Sequence, residues 1–207
     1  MVYQQEMLKI SPQVFLYDAR LPVPQLPAGA IALPQHPGNI FGDGSHPTTR
    51  LCAGAVDFLC RQHAFSGVLD VGTGSGVLAR IARARAARFI VGTDINPAAL
   101  MAAQSNAALD SHPVDIAILN TAPDHWGARF DLVVANILEG PLRELAPSLS
   151  QALGEGGLLL ISGFTRLQTP GLLELFSSYG LTYVNASQLE EWVLLMFRRP
   201  LSNQLIL

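Results

Sequence analysis

Two cysteines, charged side chains at only 14% of positions and no long apolar run are what this 207-residue chain has little of. Each scarcity removes a class of protein. Cys52 and Cys60 lie eight residues apart on one expected helix, about 12 Å at 1.5 Å of rise per residue. That is beyond disulfide reach, so both are expected to be reduced, buried and structural. No Cys-x-x-Cys occurs, and the five histidines, His36, His46, His63, His112 and His125, show no H-x-x-x-H or H-E-x-x-H spacing. No metal is therefore expected. Runs such as WVLLMF, Trp192 to Phe197, fall far short of the roughly 20 residues a membrane span needs. The opening MVYQQEMLKI has no basic region followed by an apolar stretch, so no secretory signal is read and a cytoplasmic location is expected.

The net charge of −3 offers no basic surface for direct nucleic-acid binding. Arg80, Arg83, Arg85 and Arg88, spaced at about 100° per residue on a helix, spread around the circumference and are read as solvated positions. What the chain does have is apolar material, 49% of it, enough for one substantial core. Half of its 14 prolines fall between Ser11 and Pro47. That composition disfavours long helices, so residues 1–46 are expected to form a proline-rich arm or cap with one short strand at AIAL. Residues 47–207 then alternate apolar runs with helical patterns, the mark of βαβ units.

The expected elements are a helix over Thr48–Gln62, a strand Gly67–Val71, a helix Gly76–Ala87, a strand Arg88–Asp94 and a helix Pro97–Leu109. Strands Val114–Leu119 and Phe130–Asn136, a helix Pro141–Ala152, a strand Gly157–Ser162 and a helix Pro170–Tyr179 follow. Strands Leu181–Asn185 and Glu191–Arg198 close the chain with too short a link for a helix, which predicts an antiparallel hairpin. The fold class is α/β: a Rossmann-like, seven-stranded, mostly parallel sheet ending in an antiparallel hairpin, the arrangement of class I methyltransferases.

Asp70-Val-Gly72-Thr-Gly74-Ser-Gly76 joins the first strand of that sheet to its helix. Glycines there permit tight backbone and close ligand approach, and the helix N-terminus turns free N–H groups toward the ligand. A dinucleotide fingerprint needs glycine where Val77 stands. The spacing G-x-G-x-G after an acidic residue resembles instead the glycine motif of S-adenosylmethionine-dependent methyltransferases. Asp94, at the end of the second strand, is placed to accept hydrogen bonds from ribose hydroxyls, or else to start the next helix. Asn136 ends the fourth strand at the ligand-binding edge, either contacting a substrate amine or cofactor or capping the next helix.

Taken together, FGDGSHPTTRLC, LDVGTGSGVLA, GTDINP, DLVVANILEGPLRELAP and EEWVLLMFRR resemble successive motifs of the ribosomal protein L11 methyltransferase (PrmA) family, over about Ile31 to Arg198. The resemblance implies S-adenosyl-L-methionine as cofactor, S-adenosyl-L-homocysteine as product, and methylation of protein amino groups, on lysine or an α-amine. It carries Thr49, Gly72, Asp94 and Asn136 over as cofactor-binding residues, beside Asp70, Gly74 and Gly76 of the turn. Asn136 and Trp192 are the expected catalytic residues at the substrate mouth, Trp192 having core packing as its alternative role. Glu139 can assist deprotonation or simply favour a helix N-terminus. His46 is a base or a local loop-fixing group.

Asp43 departs from the family's usual threonine. Fewer than fifty residues precede the HPTT motif, where full-length members carry a recognition domain, so the domain is expected to be missing and the acceptor is left open. The expected partner is a protein or peptide, a ribosomal protein among them. The alternatives are a small-molecule or natural-product acceptor, and a module that binds the cofactor without turnover.

Overall fold

The computed structural model describes residues 7–38, 40–110, 116–120, 127 and 129–202. Three short strands open the chain: β1 (Leu8–Ser11), β2 (Val14–Asp18) and β3 (Ile31–Gln35), β1 and β2 antiparallel and β2 and β3 parallel. The composition suggested one strand, AIAL, and it forms β3. The other two escape a reading by proline count because the connection from β2 to β3 holds three of those prolines. Pro34 is tolerated within β3 because an edge strand needs no N–H on its open side.

The remaining elements are α1 (Pro47–Gln62), β4 (Gly67–Val71), α2 (Val77–Ala84), β5 (Phe89–Thr93), α3 (Pro97–Ala107), β6 (Ile116–Leu119) and β7 (Phe130–Asn136). Then come α4 (Glu139–Ala152), β8 (Leu153–Thr165), a 3-10 turn at Arg166–Gln168, α5 (Thr169–Ser178), β9 (Thr182–Leu189) and β10 (Trp192–Arg198). The first two residues expected in β6, Val114 and Asp115, lie outside the described residues, as do His112 and His125.

The seven-stranded sheet has the order β6-β5-β4-β7-β8-β10-β9. Strands β4 to β8 are parallel, and β10 runs antiparallel to both β8 and β9, giving the expected hairpin. Alternate residues of β7 feed two cores. Leu132 and Val134 pack with α1, α2 and the opening strands, while Val133 and Ala135 pack with α4 and α5. A strand buried on both faces has no polar alternation, which is why DLVVAN reads as a continuous apolar run. Cys52 and Cys60 are free and buried in the first core, and burial raises both thiols, Cys60 to about 12.

The arginines of α2 are the main correction. Arg80 is fully buried and Arg83 nearly so, not solvated. Arg80 donates to both carboxylate oxygens of Asp110, at 2.8 and 2.6 Å, and to the Pro34 carbonyl of β3. Arg83 donates to Asp110 at 2.5 Å and to the Ala107 carbonyl at 2.9 Å. Arg85 binds the buried Asp57 of α1 at 2.7 Å and the Gly29 carbonyl at 3.1 Å. Only Arg88 is exposed. The opening strands cover the side of α2 that helical periodicity assigns to water, and each guanidinium is held by a carboxylate and a backbone carbonyl.

Candidate functional site

In this sheet the strand order reverses between β4 and β7, and open α/β sheets bind ligands outside the carboxyl ends at such a point. A cavity of about 620 Å³ lies there. That is within the range of small-molecule sites. Gly72 and Gly74 line it from the β4–α2 turn, Asp94 and Ile95 from the end of β5, Asn136 to Leu138 from the end of β7. Phe41, His46 and Thr48 close one side, and Trp192, at the start of β10, stands beside them.

The turn after β4 owes its shape to glycine. Gly72, Gly74 and Gly76 have φ of +70°, +55° and +82°, where a side chain is strained. A Cβ at Gly72 would meet Ile137 Cγ2 at 2.2 Å, and one at Gly74 would meet the Phe41 carbonyl at 2.5 Å. Asp94 braces this turn: one carboxylate oxygen accepts from Gly74 N at 3.0 Å and the other from Asn96 N at 2.9 Å. The cap of α3 is Asn96, whose side chain accepts from Ala98 N at 3.0 Å. The side-chain cap of α3, the alternative role read for Asp94, thus falls to Asn96.

Asn136 is 8% exposed and its Oδ1 has no hydrogen-bond partner within the protein, a costly state for a buried polar atom. It does not cap α4, which begins after Leu138 without a side-chain cap. The backbone following it crosses closely over β8: Ile137 N donates to Ser162 O at 3.1 Å, and a Cβ at Gly163 would meet Ile137 O at 2.1 Å. Gly163, at φ +100°, is a site residue that sequence reasoning missed. A glycine at a strand's end was the available signal.

Of the expected site residues, Gly72, Gly74, Asp94, Asn136 and Trp192 are brought together at the cavity. Asp70, Gly76 and Thr49 stand behind it. Asp70 accepts from Thr73 Oγ1 at 2.7 Å and from Ala79 N at 3.3 Å beneath the turn. Gly76 caps α2 and lies against Ala103 of α3. Thr49 is buried in the first turn of α1 with its hydroxyl unpartnered, while Thr48 lines the cavity.

His46 is the N-cap of α1: its Nδ1 accepts from Thr48 N at 3.3 Å and lies 2.8 Å from Thr48 Oγ1. It also sits between Phe41 and edge-on to Trp192, with ring centroids 5.4 and 4.6 Å away. Local fixing of the loop is therefore its observed role. Glu139 is held by Arg143 at 2.8 Å and Gln168 at 2.6 Å, and its carboxyl lies below the usual range, Arg143's hydrogen bond being the main cause.

Burial pushes the Asp70 carboxyl up to about 6, the Asp94 charge adding to the effect and the bonds from Thr73 and Ala79 opposing it. Folded chain therefore holds this proton from pH 3.8 up to about 6, where unfolded chain has released it. Raising the pH through that window favours the state that binds fewer protons, the unfolded one. Asp70→Asn should lack this loss: its urea midpoint relative to the original chain is expected to shift in the variant's favour between pH 4 and pH 7. A constant difference across that range would contradict the assignment.

The sheet order, the glycine turn and the cavity at the reversal give the chain the class I methyltransferase fold. A family model described as Ribosomal protein L11 methyltransferase (PrmA) matches residues 6–200. Ribosomal protein L11 methyltransferases of Geobacter sulfurreducens and Chromohalobacter salexigens are 41% and 40% identical over 162 and 172 residues. The matches cover 78% and 83% of this chain but 52% and 57% of those proteins, so the chain spans about half the length of the relatives it matches. The chain belongs to the PrmA family.

A solved ribosomal protein L11 methylase from Lactobacillus delbrueckii subsp. bulgaricus superposes with a TM-score of 0.84 at 30% identity, over 94% of this chain and 98% of that one. The fold is shared more widely. The N-methyltransferase NodS of Bradyrhizobium japonicum, solved with S-adenosyl-L-homocysteine, matches at a TM-score of 0.58 and 19% identity, over 75% of this chain and 89% of that one.

Proposed function

We propose that this chain is an S-adenosyl-L-methionine-dependent N-methyltransferase acting on amino groups of a protein, lysine or α-amine, with a ribosomal protein as the leading acceptor. The reading makes residues 47–207 the methyltransferase domain and 1–46 its cap, and puts the protein in the cytoplasm, where such an acceptor is made. One observation carries it: Asn136 Oδ1 is buried without a partner in an apolar cavity whose other polar features, the glycine turn and Asp94, suit a nucleoside. The names of the family and of its relatives supply the acceptor class.

The residues fit the cofactor. Gly72 and Gly74 let Ile137 and the Phe41 backbone close against the turn, and both glycines line the cavity, so a ligand there meets the turn's backbone. A carboxylate has about four acceptor positions, and Asp94 uses two within the protein, which leaves capacity for two ribose hydroxyls. Ile95, 93% exposed beside Asp94, offers an apolar face for a base.

Bound there, S-adenosyl-L-methionine would supply an electrophilic sulfonium methyl, with the acceptor amine as nucleophile, S-adenosyl-L-homocysteine as leaving group and one amine proton released to solvent. The protein has two tasks. It must deliver a neutral amine, although a lysine in water has a pKa of about 10.4. The apolar mouth of Ile137, Leu138, Pro141 and Trp192 disfavours the charged form. It must also align the nitrogen with the methyl and sulfur, and the unpartnered Asn136 Oδ1 supports the reading that it accepts a hydrogen bond from the amine. Glu139 is held by Arg143 and Gln168, and His46 caps α1, so neither is given a proton-transfer role here.

Titration calorimetry should show binding of S-adenosyl-L-methionine and S-adenosyl-L-homocysteine, and none of the nicotinamide nucleotides; nicotinamide binding alone would sink the reading. Asp94→Ala is expected to weaken S-adenosyl-L-homocysteine by about 10- to 100-fold, the worth of hydrogen bonds to a charged acceptor. Labelled methyl transfer to ribosomal protein L11, set against a panel of small amines, tests the acceptor class.

A further inference from the structure

Asn106, in the last turn of α3, is 3% exposed and lies outside the lining of the large cavity. Its Oδ1 accepts from His36 N at 3.0 Å, at the end of β3, and its Nδ2 donates to Ser75 O at 3.0 Å, inside the glycine turn. Ser75 then completes a circuit back to the opening segment. Its N–H donates to Phe41 O at 3.0 Å and its hydroxyl to Gly42 O at 2.8 Å. Gly42 is at φ +98°, and a Cβ there would meet Ser75 Oγ at 2.7 Å, so the Gly42 backbone lies directly against the Ser75 side chain.

The consequence concerns one wall of the cavity. Ile40 and Phe41 form that wall, and Phe41 is half exposed, its ring against His46. Its place is fixed by Ser75, and Ser75 is fixed by Asn106. Asparagine suits this position because one face of its amide accepts and the other donates. Aspartate supplies the first and not the second; alanine supplies neither.

We propose that Asn106 is a positioning residue for the cofactor pocket, tying His36 to Ser75 so that the Phe41 wall and the glycine turn are assembled before the ligand arrives. The inference rests on the cofactor reading above. Preassembly lowers the ordering cost at binding, so its loss is read in affinity.

The test uses the full chain, S-adenosyl-L-homocysteine as probe, and hydrogen exchange in its absence. Asn106→Ala is expected to raise Kd about tenfold, the worth of two neutral hydrogen bonds. Protection of the Ser75 amide should fall with it, while amides of β4 and β7 keep theirs, a local change that general destabilisation does not produce. Asn106→Asp should do no better than alanine. Should Asn106→Ala not fold, Ser75→Ala removes only the hydroxyl bond to Gly42, and weaker binding is again expected. Affinity within about twofold of the original chain in whichever variant folds, or full affinity in Asn106→Asp, overturns the proposal. Failure of the original chain to bind S-adenosyl-L-homocysteine overturns instead the cofactor reading beneath it.

Discussion

Asp110→Ala is expected to lower the unfolding free energy by about 3–5 kcal/mol, read from urea unfolding at neutral pH. The carboxylate is shared by two guanidiniums whose side chains are 0% and 4% exposed, at 2.6 and 2.5 Å. Removing it takes the shared carboxylate from two buried cations, while the Pro34 and Ala107 carbonyls remain as acceptors. An exposed ion pair would be worth under about 1 kcal/mol and would weaken with salt. A loss below 1 kcal/mol, or one that vanishes in 1 M salt, would therefore contradict the burial of this cluster. The opening strands should loosen with it, since Arg80 is one of their attachments through Pro34.

Asn136→Ala is expected to reduce the rate of methyl transfer by about 10²- to 10³-fold, the usual cost of removing one oriented hydrogen-bonding group from a reacting centre. Stability should change little, because the Oδ1 that is lost has no partner within the protein. Asn136→Asp is not expected to rescue the activity. A carboxylate beside the amine stabilises the charged ammonium, and that form has no lone pair to attack with. Single-turnover transfer to the acceptor separates this from binding. A variant that transfers at the original rate would remove Asn136 from the reaction.

The parts of the fold that could be read in the sequence are those decided by neighbours along the chain. Strands β4 and β7 fall at the residues expected, Gly67–Val71 and Phe130–Asn136, because continuous apolar runs bounded by turn residues have few other uses. Pro47 and Pro97 mark the starts of α1 and α3, which a proline at the first helical position favours. Strand β8 was harder. It runs from Leu153 to Thr165, well beyond the apolar LLLIS, because pairing with β7 and β10 on either side extends it through glycines that carry no strand signal.

The arginines of α2 show the limit most clearly. Nothing within VLARIARA tells which side of the helix is covered, and the covering comes from strands more than forty residues earlier and from an aspartate near the end of α3. The candidate site divides in the same way. By itself the sequence determined the order of the βαβ units, the glycine turn after β4, Asp94 and Asn136, since propensity, periodicity and spacing act over short stretches of chain. Only the tertiary structure decided that Thr49 is buried with its hydroxyl unpartnered, that Asp70 underlies the turn, and that Asn106 holds Ser75. Those assignments depend on which side chains are brought together by packing between distant segments, a matter of three-dimensional contact that local chain preferences do not encode.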